Sequence, residues 1–166
     1  MTVHLIVGNV GAGKSTYAAK LANAKRAHIL ANDPWFRELY AADSPSEDGY
    51  KWTLERTQRI ERVILEEARS LHRIDVDTIL DLGFFEKSQR DRVRADLSPL
   101  DVRTHVLDVD TAERWRRVEA RNDARGATFA MHVDRETFDF CETLYEPPEG
   151  DELNDAVRIG ETGEVI

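Results

Sequence analysis

The residues Gly8-Asn9-Val10-Gly11-Ala12-Gly13-Lys14-Ser15 follow the pattern G-x-x-x-x-G-K-S/T without a gap. Glycines at this spacing let the backbone curl so that successive N–H groups point inward at a phosphate, at the positive end of the following helix. The lysine places a cation between β- and γ-phosphates, and the next hydroxyl ligates magnesium. The expected nucleotide contacts are Gly8, Asn9, Val10, Gly11, Ala12, Gly13, Lys14, Ser15 and Thr16, with ATP and Mg2+ as the bound species. Asp81 closes the apolar run Thr78-Ile79-Leu80, and a carboxylate there suits the second magnesium-holding position beside Ser15. Leu82 follows where many ATPases carry a glutamate that polarises water, which favours transfer to a bound acceptor over hydrolysis.

Asp33 ends a second apolar run. A carboxylate at that edge can take the proton of an acceptor hydroxyl as it attacks the γ-phosphate. Asp33-Pro34 is also a good helix start, and cap and base can coexist. Arg114, Arg117 and Arg121 recur at three- and four-residue spacing, hence on one helix face, and Arg125 follows beside Gly126. Arg121 and Arg125 are read as catalytic, neutralising charge on the transferred phosphoryl group, with Lys14 and Asp33 as the other catalytic residues. Arg114 reads as part of a solvated face paired with Glu113 and Glu119. Asp33, Arg37 and Arg90 are the candidate substrate contacts. Trp35, Phe36, Tyr40, Tyr50 and Trp52 cluster on the same side, as core or as a stacking surface.

Short apolar strands alternate with longer helical stretches, the pattern of βαβ units and a parallel sheet. Strands are expected at Val3–Val7, Ala27–Ala31, Asp77–Leu82 and Val102–Leu107, with an edge strand near Ala156–Ile159. Helices are expected at Lys14–Ala24, Asp33–Ala41, Trp52–Leu71, Ser88–Leu97, Thr111–Arg121 and Asp134–Tyr145, and Arg121–Thr128 as a polar loop. Leu54, Ile60, Val63, Ile64, Ala68 and Leu71 form the apolar stripe of the longest helix.

At 166 residues and 41% hydrophobic content the chain is one domain with a core, not a disordered polymer. No run of eighteen apolar residues suggests a membrane span, and the short N-terminal apolar run lacks the basic flank of a secretory signal. One cysteine, Cys141, excludes an internal disulfide, and the expected compartment is the cytoplasm. The histidines show no metal spacing. Net charge is −9, but residues 142–166 carry eight acids and only one base, Arg158. A globally acidic surface argues against a duplex-DNA binder.

The phosphate-loop motif, Asp33-Pro34-Trp35, Leu80-Asp81-Leu82-Gly83-Phe84, Arg117-Val118-Glu119-Ala120-Arg121-Asn122 with Arg125-Gly126, and Tyr145-Glu146-Pro147-Pro148 together resemble small bacterial P-loop kinases of the AAA type. These are related to zeta-toxin-like and polynucleotide-kinase-like enzymes. The resemblance covers roughly residues 1–152. It implies an α/β fold, a three-layer α/β/α sandwich on a mainly parallel five-stranded sheet in order 2-3-1-4-5. It also implies Asp33 as general base, and an arginine-bearing lid, here about residues 114–132, that brings Arg121 and Arg125 to the phosphates. The spacing from Asp33 to Arg37 departs from the phage-type polynucleotide kinases. The expected protein is a single-domain ATP-dependent kinase, a monomer or weak dimer, with a small-molecule hydroxyl as acceptor. A polynucleotide 5′-kinase and an acceptor-free nucleotide switch are the alternatives.

Overall fold

A computed structural model describes residues 1–45, 49–124 and 132–166. Five strands, β1 (Thr2–Val7), β2 (His28–Ala31), β3 (Thr78–Asp81), β4 (Asp101–Leu107) and β5 (Val157–Ile159), pair in the order β2-β3-β1-β4-β5. Every pairing between these strands is parallel. The helices are α1 (Lys14–Lys25), α2 (Asn32–Tyr40), α3 (Gly49–His72), α4 (Lys87–Leu97), α5 (Thr111–Ala124) and α6 (Arg135–Leu144).

The alternation of β1 explains the three layers. Val3, Leu5 and Val7 point to one face, where Ile60, Ile64 and Ala68 of α3 and Val93 and Leu97 of α4 cover them. Ile6 points to the other face, where Ala18 of α1 packs with Ile79, Leu107 and Ile159. A third apolar group joins Val118 of α5 to Phe138 of α6, with Trp115 and Val10 against it. Among the described residues no helix is long and apolar enough to cross a membrane.

Register places the site. His28 pairs with Thr78 and Ala31 with Asp81, so β2 and β3 end side by side at the carboxyl edge of the sheet. Asn32, buried at the start of α2, donates from Nδ2 to the Leu82 carbonyl at 3.3 Å and ties the two strand exits together.

Three local features differ from the sequence expectation, the first being that Leu54 and Val63, read as part of the apolar stripe of α3, are exposed. Helix α2 starts at Asn32, its N-cap is Ala31, and no side chain caps it; Asp33 lies inside the first turn. Helix α5 continues through Ala124, so Asn122–Ala124 are helical where a polar loop is expected. After β5 the chain turns at Gly160–Gly163 and returns antiparallel, with an Ile159–Val165 bridge.

Candidate active site

The phosphate loop runs from the end of β1 to the start of α1. Gly11 and Gly13 hold φ of +80° and +92°, left-handed values that side chains disfavour. Gly11 has a second constraint, because a Cβ there would lie 2.4 Å from the Arg114 carbonyl oxygen of α5. Helix α5 thus serves as the back wall of the loop. Arg114 donates to the Val10 carbonyl at 3.2 Å and Arg117 to the Ala12 carbonyl at 3.3 Å.

Lys14 Nζ donates to the Asn9 carbonyl at 3.2 Å and stands 5.9 Å from the Phe85 ring centroid. Burial lowers its pKa, opposed by the Asp81 and Asp33 carboxylates. Ser15 Oγ donates to Asp81 Oδ2 at 2.8 Å. Two hard oxygen donors at the mouth of a phosphate loop fit Mg2+, which binds through one or two carboxylates and completes its shell with waters and substrate phosphates.

Asp33 makes no hydrogen bond or ion pair among the described residues. Burial raises its pKa, and the Asp81 carboxylate adds to the rise, while Lys14, Arg121 and Arg37 oppose it. The carboxyl keeps access to solvent, which screens these interactions. Arg121, on the last turns of α5, has a buried Nε with no partner among the described residues. Its charge bears on both Lys14 and Asp33. The fold therefore brings Lys14, Asp33, Asp81 and Arg121 near enough for their charges to act on one another, with Ser15 bonded to Asp81 and Arg37 acting on Asp33. Arg125 lies outside the described residues; residues 114–124 of the expected lid are the body of α5.

Arg90 is the correction. It is 1% exposed, and its guanidinium is fully engaged: Nε and Nη2 donate to the Glu152 carboxylate at 2.7 and 3.0 Å. Its Nη1 donates to the carbonyls of Phe84, Phe85 and Glu146 at 3.1, 3.3 and 2.9 Å. The reason is local. The chain leaves β3 through Gly83 at φ +87° and Phe84 at φ +51°, a left-handed conformation that is costly for an aromatic residue. Burial of the Phe84 ring and the Arg90 clamp hold that turn, which carries Phe85 under Lys14. Arg90 supports the site from behind and offers nothing to an acceptor.

Arg114, read from the sequence as solvated and paired with Glu113 or Glu119, is instead 7% exposed. It is bound bidentately to Glu142 at 2.6 and 2.8 Å. The aromatic cluster is mostly structural. Trp35, Phe36 and Tyr40 pack on the core, Trp52 meets Phe36 and Tyr40 edge-on, and Arg56 stacks 4.0 Å over Trp52.

Sequence reasoning missed the wall opposite. A cleft of about 250 Å3 adjoins the outer side of the phosphate loop, between Thr16, Tyr17 and Lys20 of α1, Arg117 of α5 and the Gly160–Gly163 turn. Arg117 Nη2 donates to the Glu161 carbonyl at 2.8 Å and fixes that turn to α5. The two glycines flanking Glu161-Thr162 were the available signal.

A family model described as an AAA domain matches residues 3–148, and the chain belongs to that family of P-loop kinases. No curated protein matches the chain. The fold is similar to a sugar kinase from a Janibacter species, with 16% identity and a TM-score of 0.67 over 99% of this chain and 87% of that one. It is similar to Chaetomium thermophilum Kti12 in complex with ADP-AlF3, at 15% identity and a TM-score of 0.65 over 95% and 88%. The Mycobacterium tuberculosis APS kinase in complex with AMPPNP and APS gives 19% identity and a TM-score of 0.61 over 96% and 87%. At these identities the likeness is one of fold, a five-stranded all-parallel sheet in a P-loop kinase arrangement.

Proposed function

We propose that this protein is an ATP-dependent phosphotransferase that moves the γ-phosphate to a hydroxyl group of a small-molecule acceptor. One observation carries the reading: the Asp33 carboxylate, without a hydrogen-bond partner among the described residues, lies close enough to the Lys14 ammonium and the Asp81 carboxylate for their charges to act on it, and Asp81 is itself bonded to Ser15. With Leu82 in the place of the water-polarising glutamate, a carboxylate at Asp33 suits an acceptor hydroxyl.

The loop amides and Lys14 hold the phosphates, with the base in the cleft between Arg117 and the Gly160–Gly163 turn. Ser15 and Asp81 would hold Mg2+, which supplies charge neutralisation between the phosphate oxygens. Asp33 accepts the proton of the acceptor hydroxyl as its oxygen bonds to the γ-phosphorus and the bond to the bridging oxygen breaks, leaving ADP. Arg121 neutralises charge on the transferred group, and Arg125 is placed in the same role by its sequence position. Arg37 is the acceptor-side contact. The kinase neighbours support a small-molecule acceptor for a chain of this fold, and the net charge of −9 weighs against a polynucleotide.

The test is transfer of γ-labelled phosphate from ATP in the presence of a desalted metabolite extract and a 5′-hydroxyl oligonucleotide. A labelled small product that vanishes in Asp33→Asn is expected. Label on the oligonucleotide would move the protein to the polynucleotide kinases, and free phosphate alone would leave the acceptor-free switch or an acceptor absent from the extract.

A further inference from the structure

The nucleotide site just proposed leaves Glu142 of α6 unused, yet that carboxylate hydrogen-bonds the phosphate loop from α6, beside the apolar packing of Phe138 and Val10. Its Oε1 accepts from Asn9 Nδ2 and from Arg114 Nη1 at 2.6 Å. Its Oε2 accepts from Arg114 Nη2 at 2.8 Å and Thr111 Oγ1 at 3.4 Å. Four donors converge on one group that is 29% exposed.

We infer that Glu142 is a positioning residue for the phosphate loop, acting through Asn9 to pre-form the site that receives the nucleotide phosphates; this rests on the nucleotide reading above. Asn9 is pinned at three points. Its Nδ2 is held by Glu142, its Oδ1 accepts the Val10 N–H at 2.7 Å, and its carbonyl accepts the Lys14 ammonium at 3.2 Å. Rotation of the Asn9 side chain would therefore break its bond to the Val10 N–H, the first loop amide. Arg114 closes the circuit by donating to the Val10 carbonyl while bound to Glu142. A loop held in its binding geometry by outside partners spends less binding energy on ordering when ligand arrives. A carboxylate is required, because glutamine presents one acceptor oxygen where four donors converge.

The test is a double-mutant cycle on the Kd for Mg-ADP, read by titration calorimetry well below the Tm of every variant, so that lost stability alone does not enter. Asn9→Ala cuts the loop end of the circuit and leaves the Arg114–Glu142 pair intact; Glu142→Gln cuts the other end. Each is expected to raise Kd about tenfold, the scale of one hydrogen bond to a charged group. The double variant is expected to bind about as weakly as either single one. Thr111→Val, which removes the 3.4 Å contact to the same carboxylate and a 2.9 Å acceptor of Arg114 Nη2 without touching Asn9, is expected to leave Kd within about twofold. Effects that multiply to about a hundredfold, an unchanged Kd in Glu142→Gln, or an equal rise in Thr111→Val would each overturn the inference while leaving the nucleotide reading in place. Wild-type protein that fails to bind Mg-ADP would overturn both.

Discussion

Asp33→Asn separates a catalytic carboxylate from a structural one. The side chain caps nothing, since Ala31 holds the cap position of α2 and no side chain bonds there. Replacement therefore loses no cap. It loses the attraction of a carboxylate to the positive end of α2, about 0.3–1 kcal/mol at a solvated site. It gains relief from the two effects that raise the Asp33 pKa, burial and the Asp81 carboxylate. Because solvent reaches the carboxyl, that gain is discounted to about 1 kcal/mol. The two nearly cancel, and for a domain of this size 1 kcal/mol corresponds to about 2–4 °C. Tm is expected to stay level or rise by up to about 4 °C at pH 7. Sign follows from linkage. With the folded pKa raised, the folded state holds the Asp33 proton more tightly than the unfolded state, so wild-type stability from this group falls as pH climbs through that pKa. The asparagine variant lacks this loss, and its relative Tm should improve between pH 4 and pH 7. Phosphate transfer should fall by about 10²–10⁴, since an amide cannot take the acceptor proton. In wild-type protein the acidic limb of kcat/KM should lie above the ordinary carboxylate range, because the base must be ionised. Calorimetry across pH alongside γ-labelled transfer measures both arms. A Tm drop of more than about 5 °C, with transfer per folded molecule retained, would refute the catalytic assignment.

Gly11→Ala should abolish ADP-induced thermal stabilisation, because the residue would need a left-handed backbone and a Cβ 2.4 Å from the Arg114 carbonyl oxygen; a normal ADP shift would show that the loop moves aside. Arg90→Met strands Glu152 and releases the Phe84 turn, so unfolding should become easier by about 3–5 kcal/mol, or about 10 °C in Tm. Its acceptor KM should stay at the wild-type value; a raised KM with normal stability would return Arg90 to the acceptor site. The buried pair His4–His105, joined at 2.9 Å and extended to the Tyr17 hydroxyl at 2.8 Å, gives an acid limb to stability. Burial holds His105 at about 4, so its contribution is complete above pH 6.5 and is lost as pH falls from 6.5 towards 4, by about 3 kcal/mol. A pH scan of Tm should show this slope in wild-type protein and a flatter one in His105→Gln.

The local signals in this chain were strong where chemistry and geometry coincide along the backbone. The phosphate loop needs contiguous residues with glycine torsions, so it is readable as a string, and the alternation of apolar strands with amphipathic helices specified the parallel sheet. The end of β3 at Asp81 and the start of α2 around Asp33 were legible for the same reason, since both sit where an apolar run stops. Side-chain destinations were not. Arg90 and Arg114 look like any other helix arginines in sequence, and each is buried against a glutamate 62 or 28 residues away.

The acidic C-terminal segment is the clearest instance. Read as a string it is eight acids against one base; in the fold Glu142 holds Arg114, Glu146 accepts the Lys87 N–H at 2.6 Å and Glu152 holds Arg90. Sequence determined the phosphate loop, the order of strands and helices, and the carboxylates at the strand ends, because each depends on neighbours along the chain. Only the tertiary structure decided which arginines are buried against a distant glutamate. That choice depends on the partner each guanidinium meets across the fold, and burial of an arginine requires such a partner to offset its desolvation.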